Sequence, residues 1–294
     1  MKLSIITINF NNAEGLRKTL ASVASQTYRN IEHIIVDAAS TDGSVDVIRE
    51  YESANLSSSN PLTLKWTSEK DKGIYDGMNR GIRKATGDYV WILNSGDCAA
   101  SPDVVQRMVD ALESANSLTS NPLIPILLGN IVRVYPGNKR QYSPISVDRK
   151  SASIPIPMDI SMLTFYRGTV PQDAAFVRRD LFDKYGMFDE TMKICADWKL
   201  YLNMIALDAI MPMYVNIDVV LFDMTGISNA NEELRLSERR AYLEQVLPAS
   251  VLTDYDAYHF PIEEYKRLKK YHMWGIVWFV ERVLFKLEKW KILK

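Results

Sequence analysis

Asp97 closes the run Asn94-Ser95-Gly96-Asp97, directly after Tyr89 to Leu93, whose β-branched, aromatic and aliphatic residues suit a strand buried on both faces. A carboxylate at the carboxyl end of such a strand faces the crevice where open α/β sheets bind ligands. Asp97 is therefore a candidate to hold a divalent metal or a phosphate-bearing ligand, since a hard cation takes one or two carboxylates plus phosphate oxygens and water. Three more acids stand at comparable places: Asp37 at the end of an apolar run, Asp71 just before a helix, and Asp197 in Ile194-Cys195-Ala196-Asp197-Trp198, at the start of an amphipathic segment. Carboxylates so placed can bind cations, accept N–H groups or take a proton.

Apolar strand-like runs and helical runs alternate through the first hundred residues, the pattern of βαβ units and a mainly parallel sheet. The strands expected are Lys2 to Ile8, Ile31 to Val36, Leu62 to Thr67 and Tyr89 to Leu93. Helices are expected at Ala13 to Ser25, Ser44 to Glu52, Ile74 to Ala85 and Pro102 to Ser114, the last with Ser101 as its cap. Ser53 to Pro61 reads as a surface loop, and Pro136-Gly137-Asn138-Lys139 as the turn of a hairpin within Ile126 to Tyr142. Two domains are expected, a catalytic 1–230 and a helical, basic 231–294.

The chain has 294 residues with the composition of an ordinary globular protein and a formal net charge of -1, which speaks against broad nucleic-acid binding. Two cysteines, Cys98 and Cys195, without a CxxC or Cys/His cluster support neither a disulfide framework nor a zinc site. The N-terminus enters a strand with no charged-then-apolar leader, and no apolar run is long enough to span a bilayer. A cytoplasmic setting is the expectation.

Taken in order, Leu3 to Asn12, Ile34-Ile35-Val36-Asp37-Ala38-Ala39-Ser40-Thr41-Asp42-Gly43-Ser44, Ser68 to Asn79, Asn94 to Asp97 and Cys195 to Trp198 resemble the family 2 glycosyltransferases of the GT-A fold, especially the colanic-acid type of polysaccharide-assembly enzyme. The likeness fades after about Asn231. It implies an inverting transfer of a sugar from a nucleotide-diphosphate donor, with UDP preferred, to a glycan or lipid-linked acceptor in surface polysaccharide biosynthesis. By the same resemblance Asp37 accepts from the nucleobase, Asp71 lies near the nucleoside, Asp97 holds Mg²⁺ or Mn²⁺ at the diphosphate, and Asp197 is the general base. Thr7, Asn9, Asn79 and Ser95 are further donor-side candidates, and Gly226 with Ser228 belongs to a segment resembling a glycine-serine loop that closes over the donor. Asp42 reads as a turn residue and Asp76 as a solvated acid of the first helical turn.

The sequence departs from the family pattern twice. Asn94 to Asp97 keeps one carboxylate of an Asp-x-Asp-like element, and Pro171-Gln172-Asp173 carries Gln and Asp where His and Gln are common. In the tail, 262–294 holds nine Lys and Arg against four Glu, interleaved with Trp274, Trp278, Phe279, Phe285 and Trp290. A basic aromatic helix of this kind reads as interfacial, so Tyr271 to Lys294 is expected on an anionic membrane surface, making the protein peripheral on the inner face of the cell membrane. The competing readings are a sugar-nucleotide nucleotidyltransferase, which would want a glycine- and arginine-bearing loop where Asn9-Phe10-Asn11-Asn12 stands, and a non-catalytic carbohydrate-binding scaffold.

Overall fold

The computed structural model describes residues 1–118, 124–137, 139–143, 156–158, 160–225 and 231–258, with positions 275, 278–280 and 282–284. Two compact units are present, Met1–Arg239 and Arg240–Lys294, and the division falls inside the helix Glu232–Val246, beyond the 230/231 boundary read from the sequence.

The first unit is built on one sheet. Its strands are β1 Leu3–Asn9, β2 Ile31–Asp37, β3 Thr63–Ser68, β4 Tyr89–Ile92, β5 Cys98–Ala99, β6 Ile126–Tyr135, β7 Lys139–Ser143, β8 Ile156–Pro157, β9 Ala175–Arg178 and β10 Met213–Asp223. The order is β3-β2-β1-β4-β9-β6-β10-β5, with β7 beside β6 and β8 beside β10. β3, β2, β1 and β4 are parallel, β6 is parallel to β10, and β9 is antiparallel to both neighbours. β1 and β2 are buried at every position, as strands covered on both faces must be.

Helices α1 Ala13–Ala24, α2 Ser44–Leu56, α3 Ile74–Lys84 and α4 Val104–Leu118 link or follow the early strands. Leu16 and Leu20 of α1 meet Val47 and Ile48 of α2 over Ile35, while Val104, Val105, Met108 and Leu112 of α4 close a larger core with Leu3, Ile5, Trp91 and Phe176. α3 lies close against β1 because it presents glycines there: a Cβ on Gly81 would stand 2.3 Å from Ile6 Cγ2, and one on Gly77 3.4 Å from Ile8 Cγ2. The interior glycines that weaken the helix locally are thus what let it approach the sheet.

Two boundaries differ from expectation. α2 continues through the supposed loop to Leu56, because Asn55 closes the turn by bonding both the N–H and the C=O of Leu62 (2.9 Å each). α4 begins at Val104, since Ser101 turns its hydroxyl to Asp103 Oδ1 and makes a preceding turn. The expected hairpin forms as β6 and β7.

The chain runs from β1 to β2 on one side and returns through α3 to β4 on the other, so the connections diverge at β1 and β4. Such a reversal opens a crevice at the carboxyl ends of the strands. Asn9 to Asn12 and Asn94 to Asp97 leave from those two ends, and Asn12 Nδ2 donates to the Ser95 carbonyl at 3.2 Å.

Candidate functional site

Three strand ends in register form one wall of the crevice, where Asn9 pairs with Asp37 and Asp37 with Ser68. Asp37 is fully enclosed. Its Oδ1 accepts from Asn9 Nδ2 (2.8 Å) and Ser40 Oγ (2.6 Å), and its Oδ2 from the Ser40 N–H (2.9 Å) and Ser68 Oγ (2.6 Å). Four donors fill a carboxylate's acceptor positions, so Asp37 holds the loop beyond β2 and has no free lone pair to offer a base. Asn9 Oδ1 is buried without a partner on this wall. Thr7 lies within β1, fully buried, with its hydroxyl on His33 Nε2 at 3.0 Å, and does not reach the crevice. Burial drives the His33 imidazole down to about 3, so it is neutral. Asp42 serves the turn as expected, accepting from Ser44 and from the Ala13 N–H.

Phe10, between Asn9 and the left-handed Asn11 (φ 47°), is 64 % exposed at the rim of this wall. Sequence reasoning passed over it. The available signal was an aromatic side chain placed among asparagines immediately after an entirely buried strand.

The start of α3 forms the next segment of the rim. Gly73 is the residue before the helix, at φ 129° with no side-chain cap, and Asp71 Oδ1 accepts its N–H at 3.0 Å. Asp71 is thus a turn residue, not a helix cap. Burial pushes its carboxyl up, assisted by the charge of Asp76, and its Oδ2 has no described hydrogen-bond donor. Asp76 is not solvated. It is buried, accepts the Lys72 N–H and pairs with Arg80 at 2.9 Å, and the hydrogen bonds outweigh the burial that would raise its pKa. Asn79 has no amide group left for a ligand: Nδ2 donates to the Phe188 carbonyl and Glu190 Oε1, and Oδ1 accepts the Phe188 N–H, all at 2.9 Å. Its role is to clasp α3 to the segment that leads to Asp197.

The turn after β4 is shaped by α1. Gly96 sits at φ 107°, and Thr19 Oγ1 accepts its N–H at 3.0 Å while donating to the Asp97 carbonyl at 2.7 Å. Asp97 is 5 % exposed, and its Oδ1 accepts the Asp223 N–H at 2.8 Å from the end of β10. Burial, then the charge of Asp173, raises its carboxyl well above the usual range. Asn94 reaches Asp173 Oδ1 with Nδ2 at 3.4 Å, and its own Oδ1 is buried unpartnered. Ser95 is partly exposed and bound to Asn12. These groups fit a hard cation, because a buried carboxyl whose charged form lacks a counter-charge and an orphaned amide oxygen both gain from one. Among the described residues no group of three His, Cys, Asp or Glu side chains converges on a metal position. Asp97 would hold such a cation, with phosphate oxygens and water as the remaining ligands.

Asp173 is the member that spacing did not reveal. It sits on the helical turn Gln172–Ala174 before β9, fixed by Trp91 Nε1 donating to its carbonyl at 2.7 Å. Burial, then the Asp197 charge, pushes its carboxyl up to about 7. A folded-state value above the unfolded one favours the protonated fold, so this contribution is full below about pH 4 and is lost as pH rises through about 7. Asp173→Asn, which is neutral throughout, is therefore expected to gain ~1–2 kcal/mol over wild type at pH 8 and almost nothing at pH 4. Urea unfolding at the two pH values, with chelator present, checks this.

Beyond α5 Met162–Arg167 and α6 Asp180–Tyr185, Asp197 belongs to helix α7 Ala196–Tyr201, which continues as the π-helical Leu202–Leu207. Glu238 grips the approach to it, accepting the N–H groups of Lys193 (2.6 Å), Ile194 and Cys195 (3.1 Å each). Trp198 anchors the other side by donating Nε1 to the Phe165 and Gly168 carbonyls. Tyr75 donates its hydroxyl to Asp197 Oδ1 at 3.0 Å. Burial raises the Asp197 carboxyl, while hydrogen bonds, including that of Tyr75, pull it back. A carboxylate with a raised pKa, rigidly held beside the crevice, is equipped to take a proton from a hydroxyl. Gly226 and Ser228 lie outside the described residues.

This sheet, with a crevice at its strand ends and an acidic turn after β4, has the GT-A fold. Among solved structures, the chain is similar to the TarS 1–349 fragment of S. aureus in complex with UDP-GlcNAc (TM-score 0.62, 19 % identity, 81 % of this chain and 64 % of that one). It is also similar to the mannosyltransferase PcManGT of Pyrobaculum calidifontis in complex with GDP-Man and Mn²⁺ (TM-score 0.51, 18 % identity, 74 % and 55 %). This chain thus spans less than two thirds of either of those two. The family model described as glycosyl transferase family 2 matches residues 4–186, and the chain belongs to that family. An uncharacterized glycosyltransferase of Mycobacterium tuberculosis is 34 % identical over 231 residues, 78 % of each chain. A PGL/p-HBAD biosynthesis glycosyltransferase of Mycobacterium bovis is 27 % identical over 227 residues, 77 % of this chain and 78 % of that one.

Proposed function

We propose that this glycosyltransferase inverts the anomeric centre while moving a sugar from a nucleotide-diphosphate donor, with UDP the preferred nucleotide, to a glycan or lipid-linked acceptor in surface polysaccharide or glycolipid biosynthesis. The observation that carries the reading is the pairing of a buried Asp97, at the turn after β4, with a separately anchored Asp197. The acceptor oxygen attacks the anomeric carbon as its proton passes to Asp197. The bond from that carbon to the β-phosphate oxygen breaks, and its electron pair leaves with the diphosphate. Mg²⁺ or Mn²⁺ at Asp97 would neutralise charge on the leaving diphosphate. A single displacement of this kind inverts the centre.

On the donor side, Asn9, Asp71 and Ser95 remain the contacts, joined by Phe10, whose exposed ring offers a face for stacking on the base. Gly226 and Ser228 are retained as part of a donor-covering loop. The relative named for PGL/p-HBAD biosynthesis and the neighbour solved with UDP-GlcNAc support glycan or glycolipid acceptors and a UDP donor. The test is proton NMR of the first product formed from a panel of UDP- and GDP-α-sugars offered with Mn²⁺ and simple glycoside acceptors. A β-linked product from an α-donor supports the reading. An α-linked product counts against inversion, and a chain inert with every donor favours the scaffold.

A cytoplasmic position on the inner membrane face is part of the same proposal. No helix among the described residues is long and apolar enough to cross a membrane. Trp278, Phe279, Val280, Val283 and Leu284 are nonetheless all exposed on helical backbone, with Arg282 stacked 4.5 Å from the Trp278 ring centroid. Exposed aromatics beside basic residues suit an anionic surface. Deleting Tyr271 to Lys294 is expected to lower co-sedimentation with phosphatidylglycerol vesicles by about tenfold or more, by the additive gain of buried apolar area and basic charge. Unchanged sedimentation would show that the tail serves another purpose.

A further inference from the structure

We infer that Tyr75 is a positioning residue for the base, the link through which the donor-side helix α3 sets the orientation and proton affinity of Asp197. The inference rests on the reading of Asp197 as general base. Tyr75 is buried one helical position inside α3, two residues beyond the Asp71–Gly73 turn, and its ring packs on Phe188 at a centroid distance of 5.7 Å. Its hydroxyl crosses 122 residues of sequence to donate to Asp197 Oδ1 at 3.0 Å. Asn79, one turn further along the same helix, ties α3 to Phe188 and Glu190 in the loop approaching Asp197. Two fixed points on one helix therefore define where α7 starts, and only one of them touches the carboxylate.

The chemistry follows from the direction of that bond. A phenol that donates to a carboxylate stabilises the ionised form, which is the form able to accept the acceptor's proton. The burial that makes Asp197 a strong base would, unopposed, leave it protonated and idle. The groups facing Asp197 are few. Asp173 faces it from the turn before β9, Tyr201 from its own helix, Cys195 from the preceding loop and Arg239 from the helix Glu232–Val246. Asp173 opposes ionisation of Asp197 and Arg239 favours it. Arg239 lies over the Trp198 ring and donates to the Gly168 carbonyl. Tyr75 is the neighbour that bonds the carboxylate from the donor side of the crevice. It also fixes one oxygen in place.

The test is a titration of the full chain labelled with ¹³C at aspartate Cγ, in wild type and Tyr75→Phe. The Asp197 signal is identified by its absence from Asp197→Asn. Phe keeps the ring on Phe188 and removes only the donor. The Asp197 midpoint is expected to rise by about 1 unit, the size of a lost hydrogen bond to a charged group. Turnover at pH values below the wild-type Asp197 midpoint should fall about tenfold, with recovery at higher pH and with UDP affinity unchanged. In the Asp197→Asn background Tyr75→Phe should cost nothing further. An unshifted Asp197 midpoint with wild-type turnover overturns the inference while leaving the base reading intact. Turnover that survives Asp197→Asn overturns the base reading itself. Should Tyr75→Phe fold poorly, 3-fluorotyrosine incorporation into wild type keeps the question open to measurement, since a more acidic phenol should lower the Asp197 midpoint. A midpoint that does not move there contradicts the inference equally.

Discussion

Asp197→Asn is expected to lower turnover about 10³-fold while leaving affinity for UDP within about twofold, the range lost when a general base is removed from an otherwise intact site. Asn keeps the size of the side chain and can still accept from the Tyr75 hydroxyl, so the anchoring of α7 through Glu238 and Trp198 is preserved. What disappears is the capacity to hold a proton. Wild-type activity should rise with pH through a midpoint above the ordinary carboxylate range, because Asp197 is active when ionised and burial raises its pKa. The residual rate of the variant should lose that limb. Initial rates between pH 5 and 9, paired with calorimetry of UDP, measure both features. A variant with more than about a tenth of wild-type turnover would remove Asp197 from the role.

Asp97→Ala is expected to abolish the metal-dependent part of nucleotide binding, a loss of about 100-fold, since a charge-assisted contact in a dry site is worth up to ~3 kcal/mol. Two other acids lie beside Asp97 and are engaged differently. Asp173 is drawn toward the protonated form by burial and by Asp197, and Asp223 spends Oδ1 on the N–H and hydroxyl of Thr225. Asp97 is also where the ends of β4 and β10 meet, through the Asp223 N–H on its Oδ1. Asp97→Asn therefore serves as the partner variant: it can still accept that N–H, so its nucleotide loss isolates the charge. Equal affinity for UDP with and without Mn²⁺ in wild type would leave Asp97 with a purely structural role.

Local pattern carried the strands and the acids at their ends. β1 and β2 are continuous apolar runs because both faces are covered, and that is legible in composition. Asp97 and Asp197 were legible as carboxylates beside a strand end and a helix start. The rest depends on partners far apart in sequence. Nothing in the spacing around Tyr75 or Asn79 announces contacts more than a hundred residues away, and nothing around Thr19 announces that it supports Gly96 and Asp97. Asp37 looked available because its four donors come from three different segments, and Asp76 looked solvated because its burial depends on how closely α3 lies on the sheet. Asp173 was noticed as a departure from the family pattern, yet its place between Asp97 and Asp197 emerges only once β9 pairs with β4.

The most direct test of the central claim is calorimetric titration of the purified chain with UDP and with GDP, each in the presence and absence of Mn²⁺. Donor chemistry organised at Asp97 predicts UDP binding that requires Mn²⁺ and exceeds GDP binding. Failure of both nucleotides to bind in Mn²⁺ would contradict it, and would mean that the single-carboxylate turn after β4 does not hold a metal and diphosphate.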